Sequence, residues 1–128
     1  MKHDIFTIPL FKYEYRGDMD SLETNIQKYA RSSKGIVRSN VHGYQSLPNL
    51  HTQEFMHPFM RWLCESSDEA FNELGHIKQH INVEECWFNI NNTLNSHNQV
   101  HNHGGVLSGV FYLKAPEGAG RAFNLVTA

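Results

Sequence analysis

The sequence predicts an α+β domain in which a first strand and two helices precede a series of short antiparallel strands. Two observations support this prediction. Apolar residues recur at helical spacing between residues 20 and 75, and they alternate with polar residues in segments on either side. Turn-forming residues separate the later segments at intervals typical of an antiparallel barrel or sandwich. The 128 residues suffice for one domain with a single core, so we treat residues 1–128 as one domain.

The first part of the chain contains the predicted helices. Residues 5–15 are predicted to be a strand, because aromatic and polar residues alternate there. A capping pattern in residues 20–23 predicts the start of a first helix. The second helix is predicted to begin near Thr52 and to end at Gly75. Between the helices, residues 31–48 are predicted to form a loop with a short strand.

The second part of the chain contains most of the predicted β-structure. Residues 86–91 alternate between an apolar face and a face that carries Trp87, Asn89 and Asn91. This pattern predicts a strand with one side against the core and the other facing a cavity. Residues 106–113 are uncharged and rich in β-branched and aromatic side chains, so they are predicted to form a buried core strand.

Three histidines, His97, His101 and His103, lie within seven positions. Residues i and i+2 of a strand share a face, so His101 and His103 are predicted to point the same way. Two neutral imidazoles placed like this can chelate one metal ion. The alternative is an ordinary polar surface loop, because a bare His-x-His pair is common. His76 and His80 form a second pair, but their i, i+4 spacing extends past the end of the predicted helix.

Composition limits the classes of function. The formal net charge of −2 provides no broad basic surface, so binding to nucleic acid is not expected. No apolar run approaches the length of a membrane span, and the N terminus lacks the pattern of a signal peptide. Cys64 and Cys86 do not form a CxxC motif, so a reduced, cytoplasmic compartment is the simplest interpretation.

Several of these motifs together resemble one known family. They are Trp87-x-Asn89-x-Asn91, His101-x-His103, the run from Leu107 to Leu113, the turn at residues 116–120, the loop with Ser39-Asn40 and Gly43-Tyr44-Gln45-Ser46, and the opening Ile5-Phe6-x-x-Pro9-Leu10. The sequence resembles the 2-oxoglutarate- and Fe(II)-dependent oxygenases of bacteria, marine viruses and bacteriophages over nearly its whole length. The resemblance implies a double-stranded β-helix, a cupin-like jelly-roll, with two helices packed on one side.

The resemblance also implies cofactors and site residues. Fe(II) would lie in the mouth of the barrel, 2-oxoglutarate would be the co-substrate, and a substrate of unspecified identity would be hydroxylated. His101 and His103 would be metal ligands, and Asn89, Asn91 and Tyr112 would line the cofactor cavity. The alternative roles are hydrogen bonding at a strand edge for the two asparagines and core packing for Tyr112.

Two features differ from the pattern of this family. His103 replaces the usual carboxylate two positions after His101, and imidazole also suits iron. The chain ends at Ala128, before the strands that carry the family's distal histidine and its 2-oxoglutarate-binding base, so we expect it to be truncated. The strand edges of a half barrel would favour a homodimer. The alternative functions are a non-catalytic jelly-roll module that binds a ligand or protein, and a cupin-like enzyme with an all-histidine metal site.

Overall fold

The computed structural model describes residues 8–75 and 81–115. These residues form two α-helices and four short strands. The helices are α1 (Met19–Ser32) and α2 (His57–Glu73). The strands are β1 (Asn40–Val41), β2 (Tyr44–Gln45), β3 (Asn89–Ile90) and β4 (His97–Asn98).

Helix α1 begins slightly earlier than the sequence pattern predicted. Asp18 caps its N terminus, because the carboxylate Oδ1 accepts a hydrogen bond from the backbone N–H of Ser21 at 2.9 Å. Asp20, the predicted cap, instead lies in the first turn, where a negative charge interacts favourably with the helix dipole. Leu22 and Ile26 are buried, which confirms the apolar face expected from their spacing.

Helix α2 is one continuous helix. Pro58 lies in its first turn, where the missing N–H removes no intrahelical hydrogen bond. Gly75 follows the helix with a φ of +77°, and its N–H donates to the backbone oxygen of Asn72 at 3.0 Å. This confirms the predicted end, because glycine adopts a positive φ without a steric penalty. Among the residues described, no helix is sufficiently long and apolar to cross a membrane.

The four strands form two antiparallel pairs. Both pairs join residues 40–45 to residues 89–98, one pair after the other, and we call this two-stranded arrangement the ribbon. Strand β1 pairs with β4, and β2 pairs with β3, where Gln45 lies opposite Asn89. Between the two pairs the chain kinks at His42, whose φ is +55°. The hydroxyl of Ser96 donates to the backbone oxygen of His42 at 2.7 Å and so connects the two segments at the kink.

The core lies between the two helices and one face of the ribbon. Its buried apolar residues are Leu22, Ile26, Leu50, Met56 and Phe59. Cys86 and Phe88 pack against this cluster, which confirms the predicted core side of residues 86–91. Burial raises the pKa of the Cys86 thiol to about 11. The thiol therefore stays protonated at neutral pH and acts as a packing group, since the thiolate is the reactive form.

Two predicted strands are absent from the part of the chain that the structure describes. Residues 8–15 have no regular secondary structure, although Tyr15 packs against Phe59 with ring centroids 5.2 Å apart. Residues 106–113 also form no strand, and their predicted burial is wrong for Val106 and Val110, which are 84% and 61% exposed, whereas Phe111 and Leu113 are half-buried against the core. The physical reason is the same in both places, because an apolar extended segment becomes a strand only beside a pairing partner.

Other predictions concern residues outside the described ranges. They are the first residues of the predicted opening strand, the pair His76 and His80, the turn at residues 116–120 and the strand at residues 121–126. The complete jelly-roll stays a prediction. The described residues contain two α-helices, two 3₁₀ helices (Leu50–Thr52 and Glu54–Met56) and two short sheets, and the helices share one core with the apolar face of the ribbon.

Candidate functional site

His101 and His103 lie side by side on the protein surface. Their ring centroids are 4.5 Å apart and the ring planes meet at 69°, an edge-to-face arrangement. Both side chains are exposed to solvent. The backbone at these residues is not a strand, so the structure brings the two rings together without the strand geometry that the prediction assumed.

Two contacts orient this imidazole pair. Nδ1 of His101 lies 2.7 Å from the backbone oxygen of Gln99. In the tautomer that carries its proton on Nδ1, this contact is a hydrogen bond and Nε2 is left free to bind a metal. The ring of His103 stacks on Trp87, with centroids 5.4 Å apart and planes within 21° of parallel. The stacking limits rotation of the His103 ring and shields one of its faces from water.

The described residues offer two imidazole ligands to a metal but not a complete facial set. Across residues 8–75 and 81–115, no three His, Cys, Asp or Glu side chains lie close enough to hold one metal ion. His97, the third histidine of the run, lies in β4 with Nδ1 2.9 Å from the backbone oxygen of Asn95. The donor chemistry of the pair suits iron and other borderline divalent metals. A third ligand would have to come from outside this described set.

The three predicted cofactor-binding residues occupy different environments. Asn89 is half-buried in β3, two positions from Trp87. Asn91 is exposed, and its Oδ1 lies against Gly43, where an added Cβ would collide with it. Tyr112 is 65% exposed, so core packing does not account for this residue.

Gln45 is a polar residue of this region that sequence reasoning did not single out. It lies opposite Asn89 in the ribbon and is only 2% exposed. The side-chain oxygens of both residues are buried and have no hydrogen-bond partner. The sequence carries no signal that pairs residue 45 with residue 89, because this pairing is long-range.

Two other polar residues of the early loop hold the ribbon together. Ser46 is fully buried, and its Oγ accepts a hydrogen bond from the backbone N–H of Phe88 at 3.1 Å while donating to the backbone oxygen of Leu47 at 3.0 Å. Asn40 is also buried, and its Nδ2 donates to the backbone oxygen of Gly43 at 2.9 Å. The bond between Ser46 and Phe88 fixes the segment that carries Trp87 and Asn89 against the loop, whereas the bond from Asn40 to Gly43 stabilises the loop itself.

Comparisons with protein-family models, with curated proteins and with solved structures found no match to this chain. The functional argument therefore depends on the geometry of the site and on the sequence motifs. Membership of the oxygenase family stays a prediction.

Proposed function

We propose that this chain is a 2-oxoglutarate- and Fe(II)-dependent oxygenase that hydroxylates its substrate, and that His101 and His103 are two of its metal ligands. The carrying observation is the imidazole pair, with ring centroids 4.5 Å apart and Nδ1 of His101 on a backbone oxygen at 2.7 Å. Imidazole nitrogen is a common ligand of iron. A hydrogen bond from the second ring nitrogen is the usual outer contact of a metal-bound histidine, because it fixes the tautomer and the ring orientation.

The residues of this chain would hold and orient the reactants. When bound, Fe(II) and 2-oxoglutarate would together use O₂ to hydroxylate a C–H bond, one oxygen atom entering the substrate and the other entering the succinate formed from 2-oxoglutarate with loss of CO₂. Trp87 keeps the ring of His103 in place by stacking on it. The side-chain NH₂ group of Asn89 is a donor suited to a carboxylate of 2-oxoglutarate. Asn91 and Tyr112 are the further proposed cofactor-binding residues, and both are accessible from solvent.

The test is an anaerobic titration of the protein with Fe(II) and then with 2-oxoglutarate, followed by visible absorption. A metal-to-ligand charge-transfer band is expected for the wild-type chain. The band should be lost in His101→Ala and in His103→Ala, because each removes a proposed ligand. His97→Ala is the matched control, since this histidine belongs to the same run but is not a proposed ligand.

Two outcomes would contradict this proposal. The first is the absence of both the charge-transfer band and tight iron uptake in the wild-type chain. The second is retention of the band in both His101→Ala and His103→Ala, which would place the metal on other residues.

A second candidate function is a non-catalytic module that binds a metal, ligand or protein. The specific observation that favours it is the exposed imidazole pair with no third ligand in the described residues. Metal binding that depends on His101 and His103 but is unaffected by 2-oxoglutarate would support this alternative. Turnover with iron but without 2-oxoglutarate would instead support the cupin-like enzyme with an all-histidine site.

We also propose that two copies of the chain associate through the apolar segment of residues 100–113. This segment contains no acidic residue, lysine or arginine, and it exposes several large apolar side chains. An uncharged extended segment with no pairing partner is prone to pair with another chain. The association would be homodimeric, because the same segment on a second copy is available at equal concentration.

A further inference from the structure

The ring of His101 is connected to the early loop through the backbone of one residue, Gln99. Nδ1 of His101 lies 2.7 Å from the backbone oxygen of Gln99. The backbone N–H of Gln99 donates in turn to the backbone oxygen of Ser39 at 2.7 Å. The side chain of Gln99 is exposed and takes no part in either contact. The position of Ser39 in the loop therefore bears on the orientation of the His101 ring.

Asn40 fixes the part of the early loop that contains Ser39. It is a buried polar residue, and its carboxamide bonds only to the backbone of the loop. Its Oδ1 accepts a hydrogen bond from the backbone N–H of Arg38 at 2.8 Å. Its Nδ2 donates to the backbone oxygens of Ile36 at 3.3 Å and Gly43 at 2.9 Å. One side chain thus joins the backbone before Ser39 to the backbone after it.

The ribbon places this part of the loop directly against the histidine run. Asn40 lies opposite Asn98 in the antiparallel pairing of β1 with β4. The bond from Gln99 to Ser39 continues this pairing by one residue towards His101. We propose that Asn40 is a positioning residue of the metal site, which sets the tautomer and ring orientation of His101 through this backbone contact. The inference rests on the proposed role of His101 as a metal ligand.

The chemical consequence concerns which ring nitrogen of His101 carries the proton. A backbone oxygen can only accept a hydrogen bond, so the contact with Gln99 at 2.7 Å requires the proton on Nδ1. The lone pair of Nε2 is then free to bind a metal ion. If the loop no longer holds Gln99, the ring can turn and the proton can move to Nε2, which blocks that nitrogen. Loss of an outer contact of this kind typically lowers metal affinity about 10–100-fold.

The experiment determines the tautomer of His101 in the metal-free protein by NMR correlation of the ring nitrogens with the carbon-bound ring protons. The measurement is made at about pH 8.5, where free imidazole is neutral. The Nδ1–H form is expected to be the major form of His101 in the wild-type chain and to lose this majority in Asn40→Ala. It should also do so in Gln99→Pro, because proline has no N–H to donate to Ser39. Gln99→Ala is the matched control, since it keeps both backbone groups and should leave the tautomer unchanged.

His97 provides an internal reference in the same spectra. Its Nδ1 lies 2.9 Å from the backbone oxygen of Asn95, a contact that does not pass through Gln99. The tautomer of His97 should therefore be the same in every variant. An equal change at His97 in Asn40→Ala would overturn the proposal, because it would mean that the whole pairing of β1 with β4 opens and that Asn40 only stabilises the fold. If Asn40→Ala does not fold, Gln99→Pro at the exposed position provides the same test.

Affinity for Fe(II), measured anaerobically, is a second readout and separates this inference from the proposed function. Asn40→Ala and Gln99→Pro should bind Fe(II) about tenfold more weakly than the wild-type chain, whereas Gln99→Ala should bind it equally well. Unchanged tautomer and affinity in both Asn40→Ala and Gln99→Pro would overturn the role of Asn40 and leave the iron site standing. A changed tautomer in a chain that binds no iron would support the control of His101 by the loop and contradict the proposed iron site.

Discussion

Where the early loop pairs with residues 86–88, the hydroxyl oxygen of Ser46 accepts the hydrogen bond that a backbone oxygen would accept in a regular sheet. The backbone N–H of Phe88 donates to its Oγ at 3.1 Å, while the backbone N–H of Ser46 donates to the oxygen of Phe88 at 3.0 Å. The hydroxyl is completely buried, so no water can take over its role. This side chain thus adds one hydrogen bond to the backbone bonds that hold residues 86–90, including Trp87 and Asn89, against the early loop.

We predict that Ser46→Ala lowers the free energy of unfolding by about 1–3 kcal/mol, because it leaves the N–H of Phe88 buried and unpaired. Urea denaturation measures this change. Ser32→Ala is the control, since that hydroxyl is exposed and its loss should change stability by less than about 0.5 kcal/mol. Equal effects of the two substitutions would mean that the Ser46 hydrogen bond is not specific.

Cys86 gives a prediction about pH. Burial raises the pKa of its thiol to about 11 from the usual 9, so the unfolded chain loses this proton before the folded chain does. The folded state is therefore favoured below pH 9, and this contribution is lost as the pH rises from 9 towards 11. The Cys64→Ala variant, which keeps Cys86 as its single thiol, should also react slowly with a thiol reagent at pH 8 and rapidly after unfolding in urea.

The control for the pH dependence is Cys86→Ala. Its stability should fall less steeply between pH 9 and 11 than that of the wild-type chain, because no thiol at position 86 can ionise. Identical slopes, or fast labelling of Cys86 in the native state, would show that the thiol is accessible to water.

The elements differ in how far the sequence predicts them. Helix α1 and helix α2 are recognisable because their signals are local, as in the spacing of Leu22 and Ile26 and in the stop at Gly75. Residues 106–113 have the composition of a strand, but no strand pairs with them among the described residues. Composition alone does not show whether a pairing strand is present. The adjacency of His101 and His103 followed from their closeness in sequence, whereas the contact of Gln45 with Asn89 is long-range.

The start of α1 provides a test at the level of the element. Because Asp18 accepts the hydrogen bond of the capping interaction, Asp18→Ala should destabilise the protein by about 1 kcal/mol. Asp20→Ala removes only a favourable charge in the first turn and should cost about 0.3–1 kcal/mol at most, an effect that salt screens. Denaturation at low and high salt separates the two effects. A larger loss of stability in Asp20→Ala than in Asp18→Ala would place the cap at Asp20, as the sequence pattern predicts.

At the scale of the whole molecule, the segment after the ribbon is held near its start by the stacking of His103 on Trp87 and at its far end by the core. Phe111 packs on Phe59 with ring centroids 4.7 Å apart, and Lys114 forms an ion pair with Glu23 at 2.9 Å. Before these anchors, Val106 and Val110 project into solvent. The chain thus presents an apolar surface whose far end is held by the core, which limits the entropy lost when a partner binds.

We predict that the wild-type chain forms a homodimer whose population rises with concentration in sedimentation velocity. Val110→Lys should shift the equilibrium to monomer, because lysine on a pairing segment opposes association between chains. Val37→Lys is the matched control, since Val37 is 87% exposed but lies in the loop before β1. A wild-type chain that stays monomeric at high concentration would contradict the proposal. Dissociation by Val37→Lys, with Val110→Lys still dimeric, would move the interface to the early loop and away from residues 100–113.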